Sequence, residues 1–381
     1  MKNKLYTALG LMSGTSMDGV DVSLIRSNGI DEFSNIIDEY HEYDTDLHQQ
    51  LINLRNLILN FDDVEKYSSR INELERKITL FHSKVINQIS LNYNDKIDLI
   101  GFHGQTIFHD SKEKISKQIG DGKLLSQICK KIVVNNFREQ DLLNGGQGAP
   151  LTPIFHKLIS KHITEKYRFA FPINIINIGG ITNITQVGGI KSNEKDLFAY
   201  DIGPGNTLID KWVRKNSNKK FDENGEIAKS GKTDELILNQ AIDNFYFTSY
   251  DKSLDIKDFD LSFVKGLTFE DGCETITRFT ANLISKGIDH LNKKNNLESQ
   301  INLVCGGGRK NNYLIKCIND CLMNNKIKVE NIDNYDFDGD FIESQAFAYL
   351  SIRALLNLPS SFPNTTRCNF ATVCGIINKN F

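Results

Sequence analysis

The chain has 381 residues, a formal net charge of −3, 40% hydrophobic and 24% charged residues. That length predicts two or three domains with a core large enough to need no disulfide or metal staple. Its basic residues are scattered, which argues against a nucleic-acid or membrane surface. Seven cysteines, none in a CxxC pair, suit a reducing, cytoplasmic setting. Cys317 and Cys321 are one helical turn apart, but without His or Cys partners nearby they read as core thiols rather than metal ligands. The first apolar run turns polar too soon for a signal peptide, and no stretch approaches the ~20 apolar residues of a membrane helix. A soluble intracellular protein is expected.

Along the chain, Tyr6 to Met12 and Val20 to Arg26 read as two strands around a bare, polar turn in "GLMSGTSMDGVDVSLI". Leu47, Leu51, Leu54 and Ile58 recur at helical spacing, as do Ile71, Leu74, Ile78, Phe81, Val85 and Ile89. "KIDLIGFHG" predicts a short buried strand ending at His103 and Gly104, and "KKIVVNNF" another, before the small-residue loop "NGGQGAP" and a helix from about Pro153. "INIINIGGITNITQVGG" repeats the opening pattern of strand, bare turn and second apolar segment, which suggests an internal duplication. "INLVCGGGRKNN" runs a further buried strand into three glycines, and Phe341 to Asn357 predicts a long helix. Strands that alternate with helices and read as continuous apolar runs indicate an α/β protein with covered sheets. The charged stretches 191–196, 215–220 and 291–299 read as solvated loops.

The small-residue turns carry the candidate chemistry. Gly14 and Gly19 allow backbone N–H groups to converge, and Ser13, Thr15 and Ser16 add hydroxyls, which is the make-up of an anion-binding nest. Asp18 and Asp21 could hold a divalent cation or cap the following segment, and a plain Asx-turn loop is the bland alternative. "NIGG", "DIGPGN" and "CGGG" also sit at strand ends, where glycines let ligands approach the backbone. None is a Walker A loop or a GxGxxG motif. Together they favour a nucleotide. In "AYDIGPGNTLIDKW", Asp201 is exposed by the turn at Gly203, Pro204 and Gly205 and is the best candidate base, with Asn206 a donor to a substrate oxygen. Both could instead cap the helix from Leu208 to Val213. "GFHGQTIFH" offers His103, Gln105, Thr106 and His109, poor as metal ligands and better as hydrogen-bond partners of a sugar or as buried structural groups. Arg138 and Asp141 precede a tight loop, and Glu343 opens an apolar helix, either as a dipole complement or as a second carboxylate.

In that order, "GLMSGTSMDGVDVSLI", "GFHGQTIFH", "QIGDG", "FREQDLLNGGQGAPLTPIFH", "NIGGITNIT", "YDIGPGNTLIDKW", "VCGGGRKN" and "ESQAFAYLSIRALLNLP" resemble the anhydro-N-acetylmuramic acid kinases of the sugar-kinase/Hsp70/actin superfamily, nearly end to end. The resemblance implies a two-lobed, actin-like (ribonuclease H-like) α/β fold of duplicated mixed sheets flanked by helices, with Mg²⁺-ATP in a cleft between lobes. It puts an N-terminal lobe at 1–140, on which a closing helix from 345–381 packs back, and a C-terminal lobe at 141–381. The implied activity opens the 1,6-anhydro ring of an amino sugar with water while ATP phosphorylates O6, giving N-acetylmuramic acid 6-phosphate in cytoplasmic peptidoglycan recycling. A homodimer is usual in the family. Carried over by motif, Asp201 would be the base that activates water and Glu343 would help place water and sugar. Gly14, Thr15, Ser16, Met17, Asp18, Gly19, Val20 and Asp21 would cradle ATP phosphates, with Gly179, Gly180, Gly306 and Gly307 completing the nucleotide site. His103, Gln105, Arg138, Gly203 and Asn206 would line the sugar and phosphate side, and no protein-bound metal site is implied.

The chain departs from the family at two places. Asn136 stands where the family usually has Asp before Arg138. After Lys252 and Ser253, Ile256 stands where a basic residue is common, with Lys257 one position late. Two other readings follow: a kinase of the same superfamily for another sugar, and a nucleotide-binding regulator that no longer turns over.

Overall fold

The computed structural model describes residues 4–189, 194–245, 250, 253–254, 256–295, 299, 301–322 and 328–381. The predicted loops at 191–196 and 291–299 and Lys252 therefore lie partly or wholly outside the described residues. The chain forms two compact units, one of residues 1–158 and 341–381, the other of residues 159–340.

The first unit contains β1 (Tyr6–Ser13), β2 (Gly19–Ser27), β3 (Phe33–Glu42), β4 (Leu99–Asp110), β5 (Ile115–Ile119) and β6 (Ile132–Asn135). The second contains β7 (Ile173–Ile178), β8 (Thr182–Val187), β9 (Leu197–Gly203), β10 (Ile301–Cys305) and β11 (Val329–Asn331), and β12 (Ile376–Asn378) forms after the chain returns to the first. In the first sheet the order is β12-β6-β4-β1-β2-β3, with β5 paired to β4. In the second it is β11-β10-β7-β8-β9.

The β3-β2-β1-β4-β6 path of the first sheet and the β9-β8-β7-β10-β11 path of the second follow one plan. Each opens with two antiparallel pairings, β1–β2–β3 and β7–β8–β9. Each then adds two parallel strands, β4 beside β1 and β6 beside β4, and β10 beside β7 and β11 beside β10. The duplication expected from the two glycine hairpins is present in the topology.

In the first unit, Leu47, Leu51, Leu54 and Ile58 pack with Ile71, Leu74, Ile78 and Ile86 against Leu9, Leu11, Val22 and Leu24 of the sheet. The first stripe lies on a helix Thr45–Leu57, and the second on a helix Ser68–Asn92 preceded by a short turn of helix at Phe61–Lys66. Burial of each such Leu or Ile contributes about 1.5–3 kcal/mol. The helix Ile342–Leu355 packs on β1, β2 and β4 and is buried at most positions. Two glycines make that approach possible. A Cβ on Gly10 would lie 1.9 Å from the Ser344 carbonyl oxygen, and one on Gly101 2.2 Å from that of Phe347. The second unit has its own core, in which Ile176, Ile178, Ile184, Ile202 and Val304 of the sheet meet Ile276, Ile284 and Ile288 of the helix Phe269–Asn295.

β4 is longer than its sequence predicts. It continues through His103 and Gly104 to Asp110, because an irregularity between Leu11/Phe102 and Ser13/Gln105 absorbs an extra residue and Gly104 takes φ +72°. A bulge of this kind re-aims side chains without ending the strand. The edge strand β3 went unread, since its mostly polar and half-exposed residues carry no buried alternation.

Candidate active site

In the first unit the turn between β1 and β2 runs from Gly14 to Asp18. Its left-handed residue is Met17 (φ +59°), not either of the flanking glycines, and the Met17 side chain is buried in the core. Gly19 is demanded by packing, since a Cβ there would lie 2.5 Å from the His41 carbonyl oxygen. Gly14 is not: the nearest atom to a Cβ would be Ser16 Oγ, at 3.9 Å. The turn's carbonyls are held from outside, Gly14 O by Gln105 Nε2 at 3.0 Å and Thr15 O by Arg55 Nη1 at 2.7 Å. Ser13 Oγ pairs with Tyr43 OH at 2.7 Å, and Ser16 Oγ donates to Asp18 Oδ1. Met17 N donates to Gly14 O at 3.2 Å and Tyr43 N to Asp18 O at 2.8 Å, so the carbonyls of Gly14, Thr15 and Asp18 are engaged and the turn's other N–H groups have the polarity an anion needs. Val20 and Asp21 already belong to β2, with Val20 in the core.

Nearby in the same unit lie His103, Arg138 and Glu343. His103 Nδ1–H donates to Gly104 O at 2.8 Å, which leaves Nε2 to accept from Arg138 Nη2 at 3.1 Å. Burial, reinforced by the Arg138 charge, pushes the His103 pKa down to about 3, so the ring is neutral. Phe347, one helical turn beyond Glu343, packs on the imidazole with centroids 4.6 Å apart. Burial raises the Glu343 pKa above the ordinary carboxyl range, partly opposed by Arg138. Arg138 Nη1 donates to Gly148 O at 2.8 Å, and the fully buried Asp141 accepts from Gly148 N at 2.7 Å and from Thr366 Oγ1 at 2.5 Å. The loop "NGGQGAP" thus aims Arg138, and Asp141 orders that loop. Asn136, with φ +54°, turns its amide to Glu139.

In the second unit the glycine turns gather within one sheet end. Asn206 N donates to Gly179 O at 2.8 Å, and Thr207 Oγ1 to Gly180 O at 2.5 Å. Gly306 (φ +77°) has no room for a side chain beside Asn177 Oδ1, whereas a Cβ on Gly179 or Gly307 would meet nothing closer than 3.5 Å and 3.8 Å. Asn206 stands at the start of the helix Thr207–Asn216, but its side chain makes no capping bond there. Asp201 is not a cap either. Its Oδ2 accepts from Ser253 Oγ at 3.0 Å and from Leu254 N at 2.8 Å. The register sets Asn177 opposite Asn183 and Asn183 opposite Asp201, a polar row across three strands, and β9 ends two residues later at Gly203, opposite Thr182. Ser253 supports the carboxylate, while Ile256 opens a short 3-10 turn, Ile256–Asp258.

Arg55, Tyr43 and Asn183 carry parts of these arrangements without a local signature, because each meets a residue far away in the chain. Among the described residues, no group of three or more His, Cys, Asp or Glu could hold a metal ion, Cys317 and Cys321 included, and no helix is long and apolar enough to cross a membrane.

Two mixed sheets on one strand plan, each with a bare turn in its leading hairpin, define a duplicated mixed α/β fold. The sequence pattern of the family described as Anhydro-N-acetylmuramic acid kinase matches residues 6–380. The anhydro-N-acetylmuramic acid kinase of Pelagibacter ubique is 55% identical over 382 residues, covering 99% of this chain and all of that protein. Those of Zymomonas mobilis and Brucella canis are 36% and 35% identical, covering 94% and 96% of this chain and 96% of each relative. A ROK-family glucokinase from Streptomyces griseus, solved with glucose and AMPPNP, aligns over 90% of this chain and 98% of its own at 9% identity and a TM-score of 0.37, too loose a likeness to bear on function. The chain belongs to the anhydro-N-acetylmuramic acid kinase family.

Proposed function

We propose that this protein uses ATP to open the 1,6-anhydro ring of anhydro-N-acetylmuramic acid and to phosphorylate O6, yielding N-acetylmuramic acid 6-phosphate and ADP in cell-wall recycling. In this reaction Asp201 takes a proton from water, and the resulting hydroxide adds to the anomeric carbon. The C1–O6 bond breaks toward O6, and O6 attacks the γ-phosphorus, with ADP as the leaving group. Phosphoryl transfer asks the protein mainly for positioning and charge neutralisation. Ser253 and the Leu254 amide hold the Asp201 carboxylate, and Glu343 beside Arg138 and His103 places water and sugar. The Gly14–Asp18 turn and the turns at Gly179, Gly180, Gly306 and Gly307 hold the nucleotide, with Gly203 and Asn206 at their edge.

The donor set suits Mg²⁺ carried on the phosphates, since that ion keeps several waters and needs only one or two carboxylates, such as Asp18 and Asp21. It would supply neutralisation of the phosphate charge.

The observation that carries the reading is that Gly14, Gly179 and Gly307 lack side chains for no packing reason. In a kinase family, bare strand-end turns that the fold does not require are explained by a molecule lying against the backbone. The test is incubation with ATP, Mg²⁺ and the anhydro sugar in oxygen-18 water. Mass spectrometry should find a 6-phosphate with one heavy oxygen at the anomeric position. ADP release with a reducing sugar but none with the anhydro sugar would refute the proposal.

A further inference from the structure

We propose that Arg309 is a positioning residue that locks the glycine turn after β10 to the chain segment ending at Asp340, and so couples nucleotide binding to sugar binding. This rests on the proposed function, in which the nucleotide lies at that glycine turn and the sugar beside Glu343.

The Arg309 side chain is 3% exposed, and every arm of its guanidinium is engaged. Nε donates to both carboxylate oxygens of Asp333, at 2.9 and 3.0 Å. Nη1 donates to Asp340 Oδ1 at 2.5 Å and to Gly306 O at 3.2 Å, and Nη2 to Asp338 Oδ1 at 3.1 Å. One side chain therefore grips its own glycine turn and three carboxylates far along the sequence. The backbone repeats the link, with Gly306 N donating to Gly339 O at 2.9 Å and Gly339 N to Asp333 Oδ1 at 2.7 Å. A Cβ on Gly339 would lie 2.5 Å from Arg309 Nε, so the guanidinium lies flat against the main chain.

Neither end of this clamp can move alone. Gly306 is wedged against Asn177 and Ile178 on β7, and a shift there drags Arg309 away from Asp340. Directly after Asp340 the chain leaves the second unit, and the helix that follows carries Glu343. Rigid elements tied by a fully bonded side chain transmit a displacement, whereas a flexible loop absorbs it. Only a planar fork of five donors meets these acceptors together. A lysine ammonium cannot.

The affinity of the intact protein for the anhydro sugar, measured calorimetrically with and without AMPPNP, tests the inference. In the wild type AMPPNP should tighten the sugar at least about 5-fold, and the sugar should tighten AMPPNP by the same factor. In Arg309→Met and Arg309→Lys that factor should fall to about 1–2 while each ligand still binds. A merely structural staple would instead lower thermal stability and weaken both ligands with the factor intact. Asp338→Asn takes the charge from one half-exposed partner, and its intermediate factor decides the matter if Arg309→Met does not fold. Wild-type coupling retained in these variants, or absent from the wild type, overturns the role of Arg309. A wild type that binds nucleotide but not the anhydro sugar overturns the functional reading instead, as the product assay would show separately.

Discussion

Strand for strand, β3-β2-β1-β4-β6 and β9-β8-β7-β10-β11 repeat one another, yet their ends hold different chemistry. The first sheet ends in a turn whose carbonyls at Gly14 and Thr15 are held by Gln105 and Arg55, near a half-buried Glu343 and a neutral His103. The second presents Asp201 on β9, its carboxylate supported by donors from Ser253 and Leu254. Donors that bond a carboxylate favour its charged form, whereas burial disfavours it. The proposed roles follow these surroundings, with Asp201 as the base and Glu343 as the group that places water and sugar. A duplicated scaffold supplies two similar platforms, and the few residues at the strand ends decide what each does.

The largest expected effect separates the two carboxylates. Asp201→Asn should lower product formation about 10²–10⁴-fold, the usual worth of a general base, with nucleotide affinity kept. Glu343→Gln, which retains a neutral hydrogen-bonding group, should cost clearly less. Equal losses in steady-state kinetics would break the contrast between the sheets.

Glycines sharpen it next. Gly10→Ala forces a methyl against the Ser344 carbonyl oxygen and should cost about 1–3 kcal/mol or more in denaturant unfolding. Gly14→Ala has open space and should change stability by less than about 0.5 kcal/mol while weakening ATP. A Gly14→Ala protein that binds ATP normally would remove the turn from the nucleotide site.

Acid should then find the first unit weaker than the second. Burial pushes the pKa values of His82 and His109 down to about 4, and of His103 and His156 to about 3. All four belong to the first unit. Each is neutral when folded, so its stability is fully present above the unfolded pKa of about 6.5. It is lost as pH falls from there toward 3–4, by up to about 1.4 kcal/mol per pH unit for each ring. The second unit's clamp responds later. Burial would raise the Asp340 pKa, but bonds from Arg309 and Lys310 hold it below the ordinary value, and its contribution fades only as pH drops through that lowered range. Hydrogen exchange between pH 7 and 4 should show the first unit opening before the second, and the reverse order would refute the assignment.

The smallest effect concerns the departure at Asn136. Its amide reaches Glu139 rather than Arg138, so Asn136→Asp should leave kcat within about twofold. It should also destabilise slightly, since two carboxylates would then meet, by no more than about 0.5 kcal/mol. A large gain in activity would show that the side chain serves the site after all.

Much of this was legible in the residues themselves. The stripes Leu47–Leu51–Leu54 and Ile71–Leu74–Ile78 announced their helices, and the two hairpins announced the duplication, because periodicity and turn chemistry are local. β3 left no trace, since an edge strand with exposed faces needs no apolar alternation. The continuation of β4 past Gly104 was hidden because a glycine inside a bulge and one at a strand end look alike in sequence.

The sequence by itself determined the family, the two leading hairpins, the helical stripes and the set of glycine turns, all of which follow from short-range spacing and residue type. Only the tertiary structure decided which glycines are there for packing and which are not. It alone showed that Gln105 ties down a backbone carbonyl, that Asp201 is supported by Ser253, and that Arg309 answers three aspartates up to 31 residues away. Hydrogen-bond partners and steric room depend on distances that the chain sets only by folding, and no local pattern encodes them.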